Sequence, residues 1–227
     1  MSRILLLIAL LLPATGLRAQ QGPDAEQRAR AYARSIGGQV VLTNSGFGLG
    51  ASLRMAVRSD LSFTAETGIG AGKDAREVAF FDRFGRRDVL NKANHFLMVP
   101  LHVGMERRLF SDRIEDDFRP FVLITAGPTL GWESPYFKDD NENGILDPGE
   151  RTYDALSAMP RGHLLPGFGG TVAIGAHFGR SNLSQGVRIG YSFAHFGRGV
   201  QLLERGIKDP QHFFGTPQII VYFARLF

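Results

Sequence analysis

The chain has no cysteine, so disulfides cannot hold it together and no thiol is present to carry a lipid anchor. It has little in the way of long apolar runs. The longest is Ile4 to Leu12, well short of the about 20 residues that a membrane-spanning helix needs. A strong charge of one sign is also missing. Lys and Arg number 26 against 22 Asp and Glu, and the basic residues are scattered instead of clustered. That argues against a nucleic-acid partner. If the chain enters a membrane beyond its first residues, it must do so as a closed barrel. Only helices and closed barrels satisfy every backbone group in lipid.

The first residues have the layout of a secretory signal peptide: Arg3, the apolar run, then Pro13 and small residues. The pattern predicts a signal peptide over 1–19 with cleavage after Ala19, cleavage after Gly16 being the alternative. Arg3 and Arg18 leave with it, which takes the formal charge from +4 to about +2. Residues 20–38 are predicted to be an N-terminal periplasmic segment. Asp24 to Ser35 within it is rich in Ala, Arg, Glu and Gln and reads as a short helix or a tail.

What the chain does have is strict two-residue alternation, and it runs the wrong way round for a soluble β-protein. Leu61, Phe63, Ala65 and Ile69 oppose Ser62, Thr64, Glu66, Gly68 and Gly70. Leu97, Val99, Leu101, Val103 and Met105 oppose Met98, Pro100, His102, Gly104 and Glu106. Val187, Ile189, Tyr191 and Phe193 oppose Arg188, Gly190, Ser192 and Ala194. A soluble sandwich has the same period but sets large polar side chains against water. An apolar face opposite glycine, hydroxyl and isolated charges suits a barrel that is apolar outside and polar inside.

The predicted fold is therefore all-β: an eight-stranded antiparallel transmembrane barrel with up-and-down order, spanning 39–227. The expected strands are Gln39 to Thr43, Phe47 to Val57, Leu61 to Ala71, His95 to Arg108, Phe118 to Trp132, Leu165 to Gly179, Gln185 to Phe196, and Phe214 to Phe227. Connections after the third, fifth and seventh strands are long and the others short, the asymmetry of outer-membrane barrels. With the apolar faces outward, the lumen receives Arg54, Glu66, His102, Glu106, Arg119 and Arg188. Unpaired ions in such a space cost several kcal/mol each, so an internal salt-bridge network is expected. An eight-stranded barrel is filled by its own side chains, which excludes a general porin. Phe47, Phe96, Trp132, Tyr136, Phe193, Phe213 and Phe214 on the loop side, and Phe110, Phe118 and Phe227 on the turn side, are expected to form aromatic girdles.

The final strand alternates Ile219, Val221, Phe223 and Phe227 with Ile220, Tyr222, Ala224 and Leu226. It resembles the C-terminal signal of outer-membrane β-barrel proteins of the small class, the OmpA-type and OmpX-type barrels. Arg225 departs from that pattern. The resemblance implies location in the outer membrane of a Gram-negative-type bacterium, contact with its lipid, and recognition by the barrel-assembly machinery. A monomer with a structural or surface-interaction role is expected. The alternatives are a lipid A or phospholipid hydrolase and a narrow transporter of a small hydrophobic solute. Lipid A deacylases use a His and a Ser two residues apart on one face. Here Ser192 and His195 are three apart and face opposite sides.

The segment at 133–161 contains one sharp motif. Asp139-Asp140-Asn141-Glu142-Asn143-Gly144-Ile145-Leu146-Asp147-Pro148-Gly149-Glu150 matches D-x-[DN]-x-[DN]-G-x5-E at every defined position. It resembles EF-hand-type calcium loops in a helix-poor form. The resemblance implies Ca2+ held by Asp139, Asn141, Asn143, the Ile145 carbonyl, Asp147 and Glu150. With two asparagines in the set, affinity is expected near 10⁻⁴ to 10⁻³ M. The expected role is to order a loop, and no catalytic residue is assigned.

Overall fold

The computed structural model describes residues 34–74, 76–81, 87–110, 118–147, 149–178, 183–204, 206 and 209–226. The expected signal peptide, residues 20–33 of the following segment, the turn through Ser111 to Asp117 and the terminal Phe227 lie outside the described residues.

Alternation becomes strands in the expected order. These are β1 (Arg34–Thr43), β2 (Gly46–Ala56), β3 (Leu61–Ala71), β6 (Asn94–Arg108), β7 (Phe118–Pro135), β8 (His163–Phe178), β9 (Leu183–Val200) and β10 (Gln211–Leu226). Each pairs antiparallel with its neighbour, and β1 pairs with β10 to close an eight-stranded barrel. Two short strands, β4 (Ala79–Phe81) and β5 (Arg87–Val89), form a hairpin in the first long loop. One turn of helix, α1 (Ala155–Ala158), continues into a 3-10 turn over Met159–Arg161. Neither feature is expected from the alternation.

Exposure follows the predicted inversion. Ile36, Val103, Val172, Ile174 and Ile189 each leave more than half of their surface uncovered, while Gln39, Glu106, Arg119 and Arg188 are buried. The apolar faces point out along all eight strands. Leu53, Leu97 and Leu130, which share those faces, are partly covered by their neighbours.

Two features depart from expectation. First, β1 starts at Arg34, five residues before the expected Gln39. Closure explains the extension. Ser35 to Thr43 pair with Leu226 to Gln218, and a shorter strand would leave the lower halves of β2 and β10 with unpaired backbone. Second, Phe96 and Phe214 face inward instead of joining an outer girdle. They meet Phe196 edge-on at centroid distances of 5.2 and 5.8 Å and each other at 4.9 Å, and with Leu165, Val200 and Leu202 they plug the loop-side lumen. A second internal cluster of Phe121, Leu123, Ala173, Ile220 and Tyr222 lies toward the turn side. The lumen is thus a layered core, partly apolar. Outward Phe47, Phe110, Phe118 and Phe213 remain exposed near strand ends, as expected for girdle residues.

Candidate functional site

Inward-pointing charged and histidine side chains from six strands meet polar partners across the lumen. Arg54 on β2 donates through Nη1 to Glu106 Oε1 on β6 at 3.0 Å, and its Nε reaches Ser35 Oγ at 3.3 Å. His177 on β8 brings Nε2 to the same Glu106 oxygen at 2.7 Å. Its Nδ1 faces the Tyr222 hydroxyl at 2.5 Å. That arrangement fits a ring that donates from Nε2 to Glu106 and accepts from Tyr222. Nearer mid-barrel, Arg188 Nη1 pairs with Glu66, and Arg188 Nη2 donates to Gln39 Oε1 at 3.0 Å. Higher still, His102 Nε2 and Thr129 Oγ1 lie 3.0 Å apart. Arg119 donates to Ser184 Oγ at 3.3 Å near the turn end.

All six charged or titratable residues expected in the lumen are there. His177 and Tyr222, which complete the lower cluster, were not singled out. Alternation places them inward on β8 and β10, and that was the available signal. The network crosses the barrel from β2 to β6, β8 and β10, so it ties distant strands together.

The loops rise above this core as a cap. Tyr136 N–H donates to Ala93 O and Tyr153 N–H to Tyr136 O. Ala93 N–H donates to Leu202 O and Glu204 N–H to Asn91 O. Trp132 Nε1 donates to Met159 O at 3.1 Å and fixes the turn after α1 to the wall. The three long connections are therefore stitched into one body. Glu133 anchors its base: Oε1 accepts from Asn94 Nδ2 and from Gln201 N–H, and Oε2 lies 3.2 Å from His163 Nε2.

The predicted calcium residues come together within that cap. Paired Phe137 and Thr152 close the base of the loop. Asp139 accepts backbone N–H bonds from Asn143 and Gly144, and Gly144 has φ of 75°, the left-handed turn that the motif needs. Asn143 Oδ1 accepts from Ile145 N–H at 2.7 Å. Glu150 bridges the N–H groups of Asp140 and Asp147 with its two oxygens. Both Asn141 and Asn143 point their amide nitrogens at Asp147 Oδ2, at 2.7 and 2.8 Å.

The loop is held by hydrogen bonds among its own side chains and backbone, and among the described residues no three acidic or histidine side chains cluster closely enough to hold a metal ion. Ligation by the asparagines needs both amides to turn their oxygens toward Asp147. From outside the motif, Glu204 accepts from Leu146 N–H at 3.0 Å and docks the loop against the β9–β10 connection.

His95 contacts Tyr153 O, His212 contacts Phe196 O, and His195 stacks on His212 at 6.2 Å. Ser192 faces the lumen and His195 the outside, so they do not meet. Among the described residues, no hydrogen bond joins a histidine to a serine.

No family model matches the chain, and no curated protein matches it by sequence. Solved structures do match. Neisserial surface protein A is 10% identical, with 86% of this chain and 94% of that chain covered and a TM-score of 0.40. Ail, the attachment invasion locus protein of Yersinia pestis, is 10% identical, with 85% and 95% covered and a TM-score of 0.40. The outer membrane enzyme PagL is 14% identical, with 84% and 98% covered and a TM-score of 0.34.

Proposed function

We propose that this chain is a barrel of a bacterial outer membrane, a sealed scaffold that holds a stitched loop cap at the cell surface and performs no chemistry of its own. The observation that carries this reading is the inversion: exposed Ile, Val, Leu and Phe outside, buried ion pairs inside. In water such an exterior would be a large apolar patch. In lipid it is the required surface. The plugged, ion-paired lumen supports a scaffold over an open channel. The cap would then face outward, where rigid display of loops serves binding. Newly made chains would be handed to the barrel-assembly machinery, and the folded protein would work as a monomer.

Within this reading Ca2+ is the structural ion of the cap, held by Asp139, Asn141, Asn143, the Ile145 carbonyl, Asp147 and Glu150. Its role is to tie the ends of the loop to one another above the wall. A lipid hydrolase is the weaker reading, because five of the described histidines engage backbone carbonyls, carboxylates, tyrosine or threonine, and His195 stacks on His212.

The test is electrophoretic. The mature protein, folded in detergent, is expected to migrate faster unboiled than boiled. Identical mobility, together with a monodisperse protein in plain buffer, would overturn the membrane reading.

A further inference from the structure

A cavity of about 290 Å³ lies in the loop-side half of the lumen, beside the Phe96–Phe196–Phe214 plug. That is at the small end of ligand pockets, roughly 300 to 1,000 Å³. We propose that it binds a small, uncharged, single-chain amphiphile with a hydrogen-bonding head, drawn from the surrounding membrane.

The shape of the cavity comes from missing side chains. Gly48, Gly68 and Gly70 all face it from β2 and β3. A methyl group at Gly70 would meet nothing within 4 Å. Facing this bare wall are Val41, Met98, Pro100, Phe214 and Ile220, a surface suited to hydrocarbon.

The deep end is polar and incompletely satisfied. Gln218 is 8% exposed and lines the cavity beside Arg188. Arg188 Nε is buried without a partner. A buried donor without a partner is costly, so Arg188 Nε awaits a ligand head or water. The charge of Arg188 is already met by Glu66, and Gln39 takes its second nitrogen. A carboxylate head would be set against Glu66. A hydroxyl or amide head can accept from Arg188 Nε and both donate to and accept from Gln218.

The mouth lies where the wall is lowest. The β1–β2 hairpin turns at Asn44–Ser45, and both residues line the cavity with Thr43 and Thr216. Thr216 Oγ1 donates to Asn44 Oδ1 at 2.7 Å across this lip. Leu42 and Phe47 are exposed on the outer side of the tip, and Phe47 is 75% exposed. On β9, by contrast, the outward apolar residues stop at Phe193, short of the strand end at Val200. The apolar belt therefore reaches the rim at the β1–β2 tip. An amphiphile in the adjoining leaflet passes over that lip without leaving hydrocarbon. This route rests on the membrane reading; the cavity and its polar floor do not.

The probe is 1-decanol, titrated into the full barrel in phosphatidylcholine nanodiscs and followed by NMR. Saturating shifts are expected at Val41, Met98 and Ile220. Gly70→Leu should fill the cavity, keep the heat-dependent gel shift and abolish the saturable response. Gln218→Leu should keep the fold and weaken binding about tenfold, the loss of one or two hydrogen bonds. Decanoate at pH 8 should bind more weakly than decanol. Shifts that rise linearly, centre on the outward Ile174 and Ile189 and persist in Gly70→Leu would mean partition into lipid only and would overturn the site. Tighter binding of decanoate would overturn the neutral-head assignment. A barrel that shows the gel shift but no saturable response would sink the site and leave the membrane reading standing.

Discussion

Arg54 and Glu106 meet at 3.0 Å although their strands are separated in the sheet by β3, and His177 reaches the same Glu106 oxygen from β8. Glu106 thus has two partners, and Arg54 has one carboxylate. Loss of the carboxylate strands a buried guanidinium. Loss of the guanidinium leaves Glu106 with a ring nitrogen that can still donate. Glu106→Gln is therefore expected to cost about 3 to 5 kcal/mol, and Arg54→Met distinctly less. Urea unfolding of the barrel in lipid vesicles measures both. Equal losses would contradict the asymmetry.

The outward face makes the opposite demand. Val103 sits mid-strand on β6, 51% exposed, with Ala65 and Ala126 as cross-strand partners. In a bilayer, Val103→Arg is expected to cost roughly 2 to 4 kcal/mol, the value for a cation near the midplane. On a water-facing surface the same change would fall within about 0.5 kcal/mol. Unfolding of this single variant in vesicles distinguishes the two environments.

The sequence made the wall legible and the ends illegible, for a physical reason. Alternation reports which face a residue takes, so Leu61 to Ile69, Leu97 to Met105 and Val187 to Phe193 could be assigned inward and outward directly. It reports nothing once a strand leaves the apolar belt. β9 therefore runs on to Val200, where Phe196 was the expected end. β1 extends back to Arg34 because closure, which is not local, requires it. Phe96 and Phe214 leave the expected girdle because a ring near a strand end can pack in the lumen as well as in an interface. Parity decides: both share a face with lumenal residues, Phe96 with Met98 and His102, Phe214 with Gln218. The motif from Asp139 to Glu150 is legible as a turn-forming acidic loop because its spacing is itself the signal. The cavity was not, since it arises from glycines on separate strands falling opposite one another.

Glycine positions in the wall are not equivalent. A Cβ at Gly104 would lie 1.9 Å from the Ile124 carbonyl oxygen and 2.6 Å from Thr125 Cα, both backbone atoms that cannot swing aside. Gly104→Val is expected to prevent the β6–β7 ladder from closing and to abolish the heat-dependent gel shift. Gly70→Val, with open space around it, should keep that shift. Loss of the shift in both variants would show that the wall tolerates no side chain at either place.

Removal of two carboxylates tests the loop. Calcium is expected to bind the purified barrel with a dissociation constant near 10⁻⁴ to 10⁻³ M, and to slow proteolysis between Asp139 and Glu150. The doubly substituted Asp139→Ala/Glu150→Ala protein should show neither effect while keeping its gel shift. Indistinguishable titrations of the two proteins would remove calcium from this loop.

Acid should release α1 at its cap. Asp154 caps that turn: its carboxylate accepts from the backbone N–H groups of Ser157 and Leu156 and from the Ser157 hydroxyl. These bonds, the one from Ser157 N–H foremost, hold its carboxyl below the usual aspartate value. A lowered value in the folded state means that the cap is fully formed above the ordinary carboxyl range. It is lost as pH falls through the lowered value, when the proton displaces the bonds. The Ser157 amide resonance should therefore titrate with a midpoint below about 3.9, the unperturbed aspartate value. In Asp154→Asn the resonance should be flat over the same range. Because Met159 O holds Trp132 Nε1, and Trp132 is the single tryptophan of the chain, its emission should shift along with the amide. A midpoint at or above 3.9 would mean that the cap does not hold in solution, and the loop would then depend on its other ties to the wall.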